Sequence, residues 1–306
     1  MGHTHDHGHD HGHAPKDFGR AFAIGVALNL GFVVVEAFYG YIAGSLALIA
    51  DAGHNLSDVF GLLLAWGAAW LSRREPTSRR TYGYRRSSIL AALVNAVVLL
   101  IAVGAIVWEA VRRFGNPEPI AGGTVMWVAA VGIAINTATA LMFMAGRKDD
   151  INIRGAFLHM AADAAVSLGV VIAAAAIMVT GWLWLDPAVS LLIAAVITVG
   201  TWGLLRDSVN LAMDAVPEGI DPAAVEAYLA SQPNVCEVHD LHIWGMSTTE
   251  TALTVHLVRQ TQLDDEGLLA RVRHDLEHRF GIAHTTIQVE LADPSRPCPQ
   301  APAHVV

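Results

Sequence analysis

Two histidine–aspartate pairs dominate the chemistry open to this 306-residue chain. They are His54-Asn55-Leu56-Ser57-Asp58 and His159-Met160-Ala161-Ala162-Asp163, each inside a long apolar stretch. The chain has 15 histidines, yet His54 and His159 are the only ones between residues 14 and 238. A spacing of four puts imidazole and carboxylate on one helix face, one turn apart. Two such helices face to face offer two nitrogens and two oxygens, a set suited to a tetrahedral divalent ion, with Zn2+ the first choice. Two carboxylates also cancel the charge of the ion, which matters where the dielectric is low. Ligands hold metal only when deprotonated, and imidazole in water titrates near pH ~6.5, so protons and metal compete for the same atoms.

Charge at membrane depth is costly, so every ionisable residue there is a candidate for function. Glu36, Asp51, Glu109 and Asp186 complete that set. Glu109 and Asp186 adjoin expected helix ends and are expected at the membrane interface. Asp51, three residues before His54, is read first as a hydrogen-bonding residue near a helix end, and otherwise as a support for the ligands or a lining of the way in. At the N-terminus His3, His5, His7, His9, His11 and His13 alternate with small or acidic residues, the composition of a metal-capturing tail.

Charge-free runs at residues 87–108, 119–146, 164–185 and 187–205 each contain about the 20 residues that cross ~30 Å of hydrocarbon as a helix. Residues 20–72 are too long for one crossing and break at Gly40-Tyr41-Ile42-Ala43-Gly44-Ser45. Six helices follow, over about 20–42, 46–72, 88–112, 120–146, 152–180 and 187–207. Counted from these ends at ~1.5 Å per residue, the second-helix pair lies nearer the outer face than the fifth-helix pair by on the order of 10 Å. Arg73, Arg74, Arg79, Arg80, Arg85 and Arg86 follow the second helix, and Arg147, Lys148 and Arg154 follow the fourth. Lys16, Arg20 and Arg206 share their face. The positive-inside rule then puts both termini in the cytoplasm, with anionic lipid a natural neighbour of the arginine loop.

Composition agrees with this division. Apolar residues make up 54% of the chain and charged residues 15%, against roughly 25% charged in soluble domains. Residues 1–208 carry 14 acidic and 14 basic side chains, so the whole formal charge of −9 belongs to residues 209–306. A nucleic-acid binder, which needs a basic face, is excluded, as is a disordered chain. Cys236 and Cys298 are too few for a disulfide framework. From residue 221 the pattern is α-β-β-α-β: helices at about 222–231 and 264–280, alternating strands at 235–244, 249–259 and 284–291. The domains are then a His-rich tail (1–17), a six-helix transmembrane bundle (18–208), a small cytoplasmic α/β domain (209–292) and a flexible Pro-rich end (293–306).

The stretch Ser45-Leu46-Ala47-Leu48-Ile49-Ala50-Asp51-Ala52-Gly53-His54-Asn55-Leu56-Ser57-Asp58 resembles the cation diffusion facilitator family. So do Tyr82-Gly83-Tyr84-Arg85-Arg86, His159-Met160-Ala161-Ala162-Asp163 and Asp240-Leu241-His242-Ile243-Trp244. The similarity runs from about residue 18 to 291 and is greatest to bacterial zinc, cadmium and cobalt exporters. It implies a homodimer in the bacterial inner membrane that exports metal in exchange for protons. One ion would be held by His54, Asp58, His159 and Asp163. It also implies a ferredoxin-like tail domain that pairs across the dimer and binds further Zn2+ through residues among His239, His242, His256, His284 and Glu290. The competing classes are an intramembrane zinc hydrolase, for which no HExxH is present, and a passive metal channel or sensor.

Overall fold

The structure, a computed structural model, describes residues 18–143, 151–261, 265–293, 298 and 301. The expected N-terminal metal tail, His3 to His13, lies outside the described residues. Six long helices come first: α1 (Phe18–Ala43), α2 (Leu46–Ser72), α3 (Ser87–Gly115), α4 (Gly122–Phe143), α5 (Ile151–Thr180) and α6 (Leu185–Ala212). Each is long enough to span roughly 30 Å. Among the described residues α3, α4, α6 and residues 157–180 of α5 also meet the apolarity that a membrane span requires. Residues 27–43 of α1 form a shorter apolar run. The first half of α2 carries Asp51, His54, Asn55 and Asp58, which lower its apolarity.

The bundle is built inside out relative to a soluble protein. In the unit formed by residues 1–59 with 101–197, large apolar side chains such as Ile101, Trp108, Trp127 and Val179 are exposed, while Ala50, Ala110, Ala129, Ala174 and Ala194 are buried. Small residues let helix backbones approach where lipid supplies no hydrophobic drive for association. Gly132 shows how close that approach is. A Cβ there would sit 2.9 Å from the Phe32 ring and 3.3 Å from Ser167 Oγ, so α4 lies against α1 and α5 only as glycine.

The break between α1 and α2 is tighter than the sequence suggests. Helix continues through Gly40–Ala43, and the turn is confined to Gly44 and Ser45. Gly44 takes φ +69°, and the amide of Ser45 bonds back to the carbonyl of Gly40 at 3.1 Å. The ends of α2 are as expected and α4 starts two residues later, at Gly122, whereas α3 and α6 run further than the hydropathy pattern suggests, α6 to Ala212 against an expected end near 207. Polar Asp207, Ser208 and Asn210 end the apolar run without ending the helix, because no breaker precedes Pro217.

The chain divides into two compact units, residues 1–59 with 101–197 and residues 60–100 with 198–306, a division that cuts α2, α3 and α6. The second unit contains the C-terminal α/β domain: α7 (Pro222–Ala230), β1 (Val235–Gly245), β2 (Thr251–Arg259), α8 (Asp265–Phe280) and β3 (His284–Leu291). Asp221 caps α7 by accepting from the amide of Ala223 at 3.0 Å, and Pro222 fits the first helical position because its missing donor is not needed there. The sheet order is β1-β2-β3, with β1 antiparallel and β3 parallel to the central β2. Val225 and Leu229 of α7 and Leu268, Val272 and Leu276 of α8 join Leu253, Val255 and Leu257 of β2 in one core. In register, His239 pairs with His256, which pairs in turn with Gln288, and Val258 pairs with Glu290. The ladder shifts between His239 and His242, where Asp240 takes the left-handed φ of +52°.

Within the same unit, the arginine loop makes contacts with residues far along the chain. Arg85 binds Glu250 at 2.6 Å, Arg86 binds Asp214, and the amide of Thr248 donates to Ser88 Oγ at 3.1 Å. Two of the loop arginines are thereby tied to acids of the last third of the chain.

Candidate metal centre

The two His/Asp pairs meet. α2 and α5 pass antiparallel where His54 faces Asp163 and His159 faces Asp58. His54 Nε2 lies 3.4 Å from Asp163 Oδ1, and His159 Nε2 lies 3.2 Å from Asp58 Oδ2. The contacts within each helix are longer, 3.9 Å for His54–Asp58 and 3.6 Å for His159–Asp163. The ligand set is therefore interlocked across the two helices, and neither helix offers a finished half alone. Ligand atoms around a tetrahedral zinc stand roughly 3.2–3.8 Å apart. Ligand atoms of Asp58, His159 and Asp163 all fall within 4.8 Å of one another, while His54 lies outside that group and approaches Asp163 alone to 3.4 Å.

The site's unmet bonding points the same way. Asp58 Oδ2, Asp163 Oδ2 and His54 Nδ1 are buried without a hydrogen-bond partner among the described residues. Buried polar atoms are normally satisfied, and a cation between the carboxylates would supply what these oxygens lack. The site is nevertheless lopsided: Asp163 is 2% exposed, whereas the His159 side chain is 41% exposed.

The depth offset expected from the helix ends is accommodated by stagger. Eight residues of α5 precede His159, whereas 18 residues of α2 follow His54. At ~1.5 Å per residue this corresponds to an axial offset of about 15 Å between those two helix ends.

Behind the quartet lies a polar layer that spacing could not show. Asp51 is fully buried and accepts from Ser167 Oγ at 2.9 Å; Ser167 lies one turn beyond Asp163 on α5. Asn55 donates to Glu36 Oε2 of α1 at 3.1 Å, and Glu36 is also fully buried. Asp186, expected at an interface, is instead buried at the start of α2. It accepts from Ser45 Oγ at 2.6 Å and from the amides of Leu46 and Ala47 at 2.8 and 3.3 Å. A carboxylate there satisfies donors that the helix itself cannot and complements the positive end of the helix.

A second cluster lies on the sheet. The ligand atoms of His239, His256, Glu290 and Cys298 all fall within 4.8 Å of one another. His256 Nδ1 lies 2.9 Å from Glu290 Oε1, and Gln288 Nε2 donates to that same oxygen at 2.9 Å. The other two candidates of this domain are elsewhere. His242 bonds Asp240 at 2.9 Å, and His284 packs edge-on against the Tyr82 ring at 5.6 Å.

Helices long enough to span a bilayer, a His/Asp cluster between two of them and an appended α/β domain define a multi-pass membrane protein. The profile of the cation efflux transmembrane domain matches residues 22–211, and that of the cation efflux protein cytoplasmic domain matches residues 217–292. The chain belongs to the cation efflux, or cation diffusion facilitator, family of metal transporters. It is 35% identical over 295 residues to the cadmium, cobalt and zinc/H(+)-K(+) antiporter of Bacillus subtilis (strain 168), covering 95% of this chain and 92% of that one. It is 37% identical over 303 residues to the cation efflux system protein CzcD of Alcaligenes sp. (strain CT14), covering 99% and 92%. Against the zinc transporter ZitB of Escherichia coli (strain K12) the identity is 37% over 308 residues, covering 100% and 96%.

Proposed function

We propose that the chain is a secondary active exporter that carries Zn2+, and Cd2+ or Co2+ on the same ligands, out of the cytoplasm in exchange for protons. The observation that supports this reading is the approach of Asp58, His159 and Asp163 to within 4.8 Å of one another between α2 and α5, with His54 3.4 Å from Asp163. Metal arriving from the cytoplasm displaces protons from the imidazoles; when the site opens outward, protons reload the nitrogens and metal leaves. This is alternating access around a fixed site in the membrane. Asp51 supports the ligands from behind, since its Ser167 bond ties α2 to the turn of α5 next to Asp163.

The excess of arginine and lysine on the loops after α2 and α4 favours cytoplasmic termini in a bacterial inner membrane. The acidic C-terminal domain would then attract divalent cations towards the inner mouth and pair with its copy in a homodimer. There His239, His256 and Glu290 would hold a resident Zn2+. The histidines from His3 to His13 would collect metal, and removing residues 2–13 should weaken apparent metal affinity without stopping transport.

The deciding experiment is Zn2+ uptake into inverted vesicles under an imposed pH gradient. Uptake should follow the gradient, and His54→Ala or Asp163→Ala should abolish it. Flux indifferent to the gradient would mean a channel; normal uptake in either variant would remove the quartet from the transport path.

A further inference from the structure

The cluster on the sheet contains a group that transport does not use. Both nitrogens of His239 are buried without a hydrogen-bond partner among the described residues, and the residue is only 9% exposed. Glu237 and Glu290 oxygens approach those nitrogens to 3.3 and 3.9 Å without hydrogen-bond geometry. An imidazole desolvated in this way lacks the partner that a buried polar group normally has. The His256 ring lies 5.2 Å from it, centroid to centroid, across the β1–β2 pair. Asp240, turned inward at the ladder shift, places Oδ2 3.6 Å from His256 Nε2. That leaves Nδ1 facing the cluster, the arrangement in which a carboxylate orients a metal-binding histidine. On that side Cys298 Sγ lies 3.6 Å from His256 Nδ1. Cys298 and Cys236 are both free thiols lining one cavity of about 280 Å3 with His239 and Glu290. Cys236 Sγ donates to the carbonyl of Val258 at 3.3 Å.

We propose that Cys298 is the fourth ligand of a closed site for a thiophilic divalent ion, completed by His239, His256 and Glu290. The proposal rests on the reading of the latter three as metal ligands given above. Binding replaces the S–H bond by a metal–sulfur bond and releases the proton to solvent, with no change of oxidation state. Four protein ligands leave no open position, so this ion is resident and not in transit. Sulfur tilts selection towards Zn2+ and Cd2+ and away from Mg2+ and Mn2+. Cys298 lies seven residues beyond the end of β3, so the ion fastens the C-terminal segment onto the sheet.

Co2+ titration of the full chain in detergent tests this, because only a thiolate gives the intense near-ultraviolet sulfur-to-cobalt absorption. The quartet and the N-terminal histidines cannot produce it. The band should appear with about one equivalent of Co2+ per chain in the parent protein and in Cys236→Ser, and vanish in Cys298→Ser. Cys298→Ser should still bind that Co2+, with roughly tenfold or greater loss of affinity. A band that persists in Cys298→Ser, or is absent from the parent protein, overturns the role of Cys298. In the latter case, loss of one bound Co2+ in His239→Ala would leave the His–Glu site standing. No loss there would overturn both.

Discussion

The quartet between α2 and α5 and the cluster on the three-stranded sheet draw on the same residue types and hold them in opposite ways. The quartet takes one pair from each of two helices, with cross-helix distances of 3.4 and 3.2 Å shorter than those within a helix. Its geometry exists only while those helices are in register, so relative motion of the helices opens it. The sheet cluster takes its histidines from directly paired positions on β1 and β2, and Glu290 from the strand beside them. Backbone hydrogen bonds fix that geometry. On the proposed functions, the site that gives up its ion spans two helices, and the site that keeps its ion stands on a ladder.

That contrast can be broken most decisively at the quartet. Asp163→Ala should lower Zn2+ transport in proteoliposomes by roughly 100-fold or more, because it removes the most buried ligand oxygen and strands both histidines. His239→Ala sharpens the contrast from the other side. It should cost about one bound metal per chain by elemental analysis while transport falls by less than about tenfold. An equal loss of transport in the two variants would erase the distinction. Ser167→Ala should act between them, leaving the buried Asp51 carboxylate without its donor at a cost of about 1–3 kcal/mol, read as a lower unfolding temperature and weaker Zn2+ binding. The smallest effect concerns the helices behind the sheet. Burial, and then the bond donated to Asp275 at 2.7 Å, push the Tyr228 hydroxyl up to about 12. Because its pKa is raised on folding, the stability it contributes is complete below the ordinary tyrosine value near ~10 and is lost as pH rises towards 12. Denaturant titrations from pH 8 to 12 should show that slope in the parent chain and a shallower one in Tyr228→Phe.

The quartet was legible because two identical spacings stood in apolar surroundings that held no other histidine. The helix count was legible for the same reason, since charge is scarce enough in this chain to mark each crossing. What spacing could not supply is the cross-pairing, which depends on how α2 and α5 meet. Contacts between residues far apart in sequence were equally hidden. Asp186 caps a helix whose first residue lies 140 positions earlier, and Cys298 reaches His256 across 42. Nothing local distinguishes an aspartate that will cap a distant helix from one that will face solvent. In the C-terminal domain, the expected strands already favoured His239, His256 and Glu290 over His242 and His284. The strand register separates His239, His256 and Glu290 from His242 and His284, and the Asp240 irregularity that orients His256 has no signature in composition.

The Asp186 carboxylate has a mechanical consequence. It binds a hydroxyl and two amides at the start of α2, eight residues from His54, while its own backbone opens α6. Any rearrangement that keeps those bonds carries the first turns of α2 and α6 as one lever, with its fulcrum at Asp186. The free arm for changing the shape of the quartet is then α5, with α4 lying along it, so a distance probe between α2 and α6 at this end should stay still while one between α2 and α5 moves.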